Sequence, residues 1–313
     1  MSVRLSIANF YLRRFVRPAL ARIAEPEKAR HHLERSAALV PGVPREARYL
    51  SDSITGPGGA IPVEWVSCGR ADRRRIVLYL HGGAYIMGSP KTHRPITAML
   101  ARLTGMRIMV PDYRLAPEHP APAAAEDALA AYATLLAQGY AAADIAVAGE
   151  SAGGGLAFAL LLLAQKKGYP PPGCIVAFSP WVDLAHTGTS IRENASCEAM
   201  LPAERVDEVA AFYIGSGDPC DPLISPLYGM FDAPPPAFIT VGEPEILRDD
   251  ACRMAETLRA AGGEVELHTI PGVPHAWQFL GPRLPEARKS MEQAAGFVRR
   301  RLGGTEMSRA ARR

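Results

Sequence analysis

Gly149, Ser151 and Gly153 in "AVAGESAGGG" form a GxSxG pattern between an apolar run and a stretch of helical spacing. A serine hydroxyl becomes a useful nucleophile when a sharp strand-to-helix turn presents it and a base takes its proton. Such a turn leaves no room for bulky side chains two residues to either side, which glycine satisfies. Ser151 therefore reads as a nucleophile, and a bare helix start is the weaker alternative because a strand and a helix both adjoin it. Dinucleotide and phosphate loops are excluded by the lack of GxGxxG, GKS and GKT.

Attack by serine on an acyl carbonyl builds up an oxyanion, and each backbone donor aimed at it is worth about two to three orders of magnitude in rate. "LYLHGGAYIMGSP" offers glycine N–H groups directly after an apolar strand. Gly82 and Gly83, with the N–H of Ala152 just after the nucleophile, are the expected oxyanion hole.

The base has eight candidates: His31, His32, His81, His93, His119, His186, His268 and His275. On such an elbow the order along the chain is serine, acid, histidine, with the histidine in a loop after the last strand. His275 in "IPGVPHAWQFL" fits, whereas His268 lies within the strand and His31 and His32 belong to a basic helix. His275 would take the Ser151 proton and return it to a leaving alcohol.

An acid must hold the other imidazole nitrogen, and "VGEPEILRDD" supplies Glu243, Glu245, Asp249 and Asp250. The strand ends near Gly242, and Leu247, Ala251, Met254 and Leu258 mark one helical face. The acid thus comes from the loop between, leaving Glu245 and Glu243. Asp249 and Asp250 fall in the first helical turn, where carboxylates favour the helix dipole without any catalytic role.

These residues need a frame. Apolar runs "RIVLYL" 75–80, "RIMV" 107–110, "DIAVAG" 144–149, "CIVAFS" 174–179, "AFITVG" 237–242 and "EVELHTI" 264–270 alternate with helical stretches near 94–104, 122–137, 153–167, 247–261 and 284–302. Short continuous apolar strands separated by helices predict an α/β fold, a mostly parallel central sheet covered by helices on both faces. The site should lie at the carboxyl ends of the strands. Residues 1–45 and the excursion 183–233, with its own helical pattern near 203–214, interrupt the rhythm and are expected to form a helical cap. The catalytic domain is then 46–182 with 234–303, and 304–313 is expected to be a disordered tail.

At 313 residues, 48% apolar and 21% charged, the chain is an ordinary globular one, and a net charge of +3 gives no reason to expect nucleic acid as a partner. Five scattered cysteines without CxxC spacing disfavour a disulfide framework and a zinc site, in keeping with a reducing cytoplasm. The longest apolar run, "LAFALLLLA", is far short of the roughly 20 residues that cross a bilayer. The first 24 residues carry Arg4, Arg13, Arg14, Arg17 and Arg22 and no acid. Such a stretch suits a transit peptide or a helix lying on an anionic membrane. The expectation is instead that its apolar side packs on the protein's own body, with Pro18 interrupting the pattern, and that no stable membrane association follows. An apolar signal region with a small-residue cleavage site is missing, so secretion is not expected.

HGGAY (81–85), "DYRLAPEHPAPAAAEDALAAY" (112–132), GESAGGG (149–155), "EILRDD" (245–250) and "GVPHAWQF" (272–279) together resemble the hormone-sensitive-lipase-like family of α/β-hydrolase carboxylesterases. The likeness covers about residues 60–300. It implies an α/β-hydrolase fold with a cap from the N-terminal helices and the mid-chain insertion, and serine esterase activity mostly on short acyl chains. It also implies pairing of two copies through an edge strand, and it puts Glu245 at the position of the catalytic acid. Two positions depart from the family pattern. Glu150 stands where aspartate or threonine is usual, and Glu245 is followed by Ile246 and Leu247 where many members have Pro-Leu after an aspartate.

The expectation is thus hydrolysis of short- to medium-chain carboxylic esters through an acyl-enzyme. Ser151, His275 and Glu245 are the catalytic residues, and no metal or cofactor is needed. Apolar cap residues Phe10, Phe15, Met200, Leu201, Phe212 and Tyr213 suggest a modest pocket for the ester. A lactone hydrolase or deacetylase would use the same triad, and a hydrolase-like fold that only binds its ligand is the alternative of a different class.

Overall fold

The computed structural model describes residues 2–22, 25–37 and 43–310. Its sheet has eight strands: β1 (Ala47–Gly56), β2 (Gly59–Cys68), β3 (Asp72–Leu80), β4 (Met106–Pro111), β5 (Ile145–Glu150), β6 (Cys174–Phe178), β7 (Ala237–Gly242) and β8 (Val265–Ile270). The order across the sheet is β1-β2-β4-β3-β5-β6-β7-β8. β1, β2 and β4 pair antiparallel and all later neighbours pair parallel. The parallel strands lie where the apolar runs predicted them. The β1–β2 hairpin has no such run: "ARYLSDSITG" is mostly polar and largely exposed at the sheet edge.

Helices cover both faces, as continuous apolar strands require. On one side α5 (Ala123–Ala137), α6 (Ala152–Lys166) and α9 (Arg248–Ala260) place Ala128, Tyr132, Leu156, Leu160, Met254 and Leu258 against Leu78, Val147 and Ile239. On the other, α4 (Arg94–Thr104) and α10 (Pro285–Ala310) place Ile96, Leu100, Phe297 and Val298 against Val77, Ala148 and Val176. The helix α10 continues through Gly303 to Ala310 where a disordered tail was expected from 304. Residues 311–313 lie outside the described ones.

The N-terminal stretch forms α1 (Val3–Tyr11), a π-helical turn at Leu12–Val16, α2 (Arg17–Arg22) and α3 (Pro26–Ala37), and the insertion carries α7 (Ser190–Glu193) and α8 (Val206–Ile214). The two segments are joined by Arg13 to the Cys197 carbonyl, Arg17 to those of Ala195 and Glu198, and Arg205 to that of Ala21. Pro18 does not break the N-terminal helix as the sequence suggested. Having no N–H to donate, it is accommodated by the π turn, in which Arg17 N–H reaches back to Leu12.

Candidate active site

Every candidate lies at the carboxyl end of a parallel strand: the HGGAY loop after β3, Ser151 after β5, Glu243 and Glu245 after β7, His275 after β8. The elbow holds Ser151 at φ 54° and ψ −125°, a conformation that costs non-glycine residues about 1–3 kcal/mol. Its tightness explains both flanking glycines: a Cβ at Gly149 would stand 2.3 Å from the Gly153 carbonyl oxygen, and one at Gly153 2.1 Å from that of Leu80. Ala84, Tyr85, Ser179 and Ala276 also have positive φ, so the strain gathers on the loops around one point.

Glu245 and His275 meet there. His275 Nδ1 lies 2.8 Å from Glu245 Oε2, and both residues are buried. The other oxygen, Oε1, accepts from Ser179 Oγ at 2.8 Å and from Gly242 N–H at 2.5 Å. Ser179 Oγ in turn accepts the Ala276 N–H at 3.3 Å, and the carbonyl of adjoining Phe178 accepts the Ser151 N–H at 2.9 Å. Ser179, which sequence reasoning missed, thus ties the acid, the histidine loop and the elbow together. Burial pushes the Glu245 carboxyl up more than His275 pulls it down. Burial alone would push the imidazole down, but the hydrogen bond and charge of Glu245, with the charges of Glu198 and Glu150, carry His275 above the ordinary histidine value. Among the described residues neither His275 Nε2 nor Ser151 Oγ has a hydrogen-bond partner, so both are open to reactants.

Among the described residues Glu245 is the carboxylate bonded to His275 and Glu243 is not, although Glu243 lies in the same loop, its N–H donating to the Ile270 carbonyl and its own carbonyl accepting from Asn194. Both remaining acids lie in the first turn of α9 as expected, but only Asp249 suits the role of a charge at the helix end. Asp249 does sit at the start of α9, accepting from Ser190 N–H at 2.9 Å and paired with Arg248. Asp250 is fully buried, its Oδ2 accepting the Val182 and Asp183 N–H groups at 2.9 Å each. Burial pushes it up to about 8, so it is a neutral anchor for the start of the insertion rather than a helix-dipole charge.

The same insertion holds the acid loop. Asn194 donates to the Glu243 and Glu245 carbonyls, Ser190 Oγ to that of Ile246, and the buried Glu198 accepts from Met200 N–H and Ile246 N–H. No local pattern in the sequence ties these residues to the acid.

On the opposite flank the Gly82 assignment is corrected. The Gly82 N–H donates to Glu150 Oε1, so it is not free for an oxyanion. Glu150, buried beneath the elbow, also accepts from the Tyr79 hydroxyl through Oε2 and from His93 Nε2 at 2.9 Å. Among the described residues the N–H groups of Gly83, Ala84 and Ala152 have no acceptor, so Gly83 and Ala152 remain donors and Ala84 joins them. His81 is buried and stacked on Tyr113 at 4.1 Å, and burial pushes its imidazole down to about 3; it is a neutral structural residue. Of the expected pocket residues, Phe10 and Phe15 face outward, whereas Tyr213 stacks on Tyr85 of the HGGAY loop at 3.7 Å.

A family model described as the α/β-hydrolase fold matches residues 77–279. An acetyl-hydrolase of Streptomyces hygroscopicus is 40% identical over 252 residues, covering 79% of this chain and 84% of that protein. An esterase of Acinetobacter venetianus is 34% identical over 230 residues, covering 73% and 76%. A solved structure of an esterase from the bacterial hormone-sensitive lipase family superimposes with a TM-score of 0.89 at 36% identity, over 96% of this chain and 99% of that one. The chain belongs to this family of α/β-hydrolase carboxylesterases. Among the described residues no helix is long and apolar enough to cross a membrane.

Proposed function

We propose that Ser151, His275 and Glu245 hydrolyse carboxylic esters of short acyl chains through an acyl-enzyme. The observation that carries this is the buried Glu245–His275 pair, with Nε2 unpartnered, at the same sheet end as the strained Ser151. Ionised Glu245 accepts a hydrogen bond from the Nδ1–H and so fixes the tautomer that leaves Nε2 basic. Nε2 takes the Ser151 proton as Oγ attacks the carbonyl, then gives it to the departing alkoxide. A water deprotonated by the same nitrogen releases the acid. The N–H groups of Ala152, Gly83 and Ala84 stabilise the oxyanion at each tetrahedral stage.

A short acyl group is supported by the aromatic packing one turn beyond Ser151. The backbone N–H of Trp181 donates to the Ser151 carbonyl, the Trp181 ring lies 6.2 Å from that of Tyr85, and the buried Trp181, Tyr85 and Tyr213 fill the space beside the elbow with rings. The acetyl-hydrolase among the relatives supports the same range. The N-terminal helices and residues 183–233 act as the cap, and the five free thiols support the cytoplasm as the compartment. The test is a p-nitrophenyl ester series run beside a lactone panel. The expected result is highest kcat/KM for acetate to butyrate; a preference for lactones would replace the substrate class, and inactivity on both would refute the proposal.

A further inference from the structure

The N-terminal helix is apolar on two opposite sides. Its inward side is Leu5 and Leu12, both buried, and Asn9 beside them donates to the Gly272 carbonyl in the loop that carries His275. Its outward side is Val3 (77% exposed), Ile7 (64%), Phe10 (68%) and Phe15 (53%). Val3, Ile7 and Phe10 follow helical spacing, and Phe15 would rotate off that line in a regular helix. The π turn at Leu12–Val16 contains an extra residue, which brings Phe15 back onto it. Tyr11, also exposed, packs its ring 5.3 Å from Phe15 and widens the stripe.

Basic groups border the stripe. Arg4 and Arg13 spend one guanidinium nitrogen each on neutral carbonyls, of Arg283 and Cys197, and Arg14 lies over the Phe15 ring at 5.4 Å. None of these three is in an ion pair among the described residues, and the helix through Arg22 contains no acid. An outward apolar stripe flanked by uncompensated arginines complements one kind of partner: a surface with negative headgroups over an apolar layer.

We propose that this face docks the protein on an anionic lipid surface, Val3, Ile7, Phe10 and Phe15 entering the headgroup boundary and Arg4, Arg13 and Arg14 meeting the lipid phosphates. The expectation of no membrane association rested on the apolar side being turned inward, and here a second apolar side is turned outward. Docking is independent of hydrolysis. It sets the loop of His275, hydrogen-bonded to this helix through Asn9, next to the lipid.

Sedimentation with vesicles tests this on the full chain. Vesicles of phosphatidylglycerol and phosphatidylcholine should carry the protein down, and phosphatidylcholine alone should do so about tenfold less well. The double variant Ile7→Ser/Phe10→Ser should lose binding about tenfold or more, and Arg14→Gln about fivefold, since each arginine near such a surface contributes roughly that factor. Both variants should keep wild-type hydrolysis of a water-soluble ester, showing intact folding. Absence of sedimentation at low salt overturns the proposal, as does sedimentation that Ile7→Ser/Phe10→Ser leaves unchanged. A wild-type dimer that Ile7→Ser/Phe10→Ser dissociates, without vesicle binding, would assign the face to a second copy and overturn it too.

Discussion

Two buried glutamate–histidine pairs flank the elbow of Ser151. On one side Glu150 holds His93 at 2.9 Å; on the other Glu245 holds His275 at 2.8 Å. The pairs have the same chemical parts and different consequences. His93 has both nitrogens engaged, Nδ1 lying 2.8 Å from the Thr92 hydroxyl and 3.0 Å from the Ser89 carbonyl, so it has nothing left for a substrate. His275 has only Nδ1 engaged. A carboxylate that binds the last free nitrogen of an imidazole makes a brace, and one that binds the first makes a base. The Glu150 pair braces the floor: through Gly82 and Tyr79 it ties the oxyanion loop to the central strands.

The sharpest way to break this comparison is to neutralise both acids. Glu245→Gln should lower kcat by roughly 10³–10⁴, because the amide favours the wrong histidine tautomer, while the melting temperature stays near that of the wild type. If Glu243→Gln has that effect and Glu245→Gln does not, the acid is misassigned. Glu150→Gln should lower kcat by about 10–100-fold through a loosened oxyanion loop, and should lower the melting temperature as well, because it leaves buried partners mismatched. A kcat loss in Glu150→Gln as large as that in Glu245→Gln would erase the distinction between brace and base.

A smaller effect comes from Glu198, whose charge raises both His275 and Glu245. His275 must be neutral to accept a proton, so activity falls as pH drops through its pKa, and that acid limb should lie above the ordinary histidine value of 6.5. Glu198→Gln removes a negative charge that favours the imidazolium, so the limb should move to lower pH, with kcat at its plateau changed by less than about tenfold. A purely structural Glu198 would lower activity without moving the limb.

The smallest effect concerns stability alone. Asp250 binds its proton more tightly folded than unfolded, 3.8 being raised to about 8, so its contribution is full below 3.8 and is lost progressively as pH rises to about 8. Asp250→Asn has no proton to lose. Its melting temperature should gain on that of the wild type steadily as pH rises from about 4 to about 8, by roughly 2–4 °C per kcal/mol relieved, and keep that lead at higher pH. A constant difference across that range would contradict the neutral anchor.

The legibility of this molecule in its sequence follows the same division. Ser151, His275 and the loop holding Glu245 could be read because each sits where a strand ends, and apolar runs and glycines mark strand ends locally. The brace could not: Glu150 reaches Tyr79 across 71 residues and His93 across 57, and no spacing records that meeting. Gly82 is misread from sequence for this reason, since the acceptor of its N–H, Glu150, lies 68 residues away along the chain. Glu198 and Asn194 were hidden likewise, in an insertion whose pattern speaks only of helices. The outward stripe of the N-terminal helix was in the sequence as periodicity, but periodicity does not say which of two apolar sides the fold will bury.

A nucleophilic Ser151 is the centre of the mechanism, and its reactivity can be measured directly. Intact mass and peptide mapping after treatment with a fluorophosphonate should show one adduct per chain, on Ser151, absent from S151A. Absence of an adduct on the folded wild-type protein, or an adduct on another residue that persists in S151A, would contradict it.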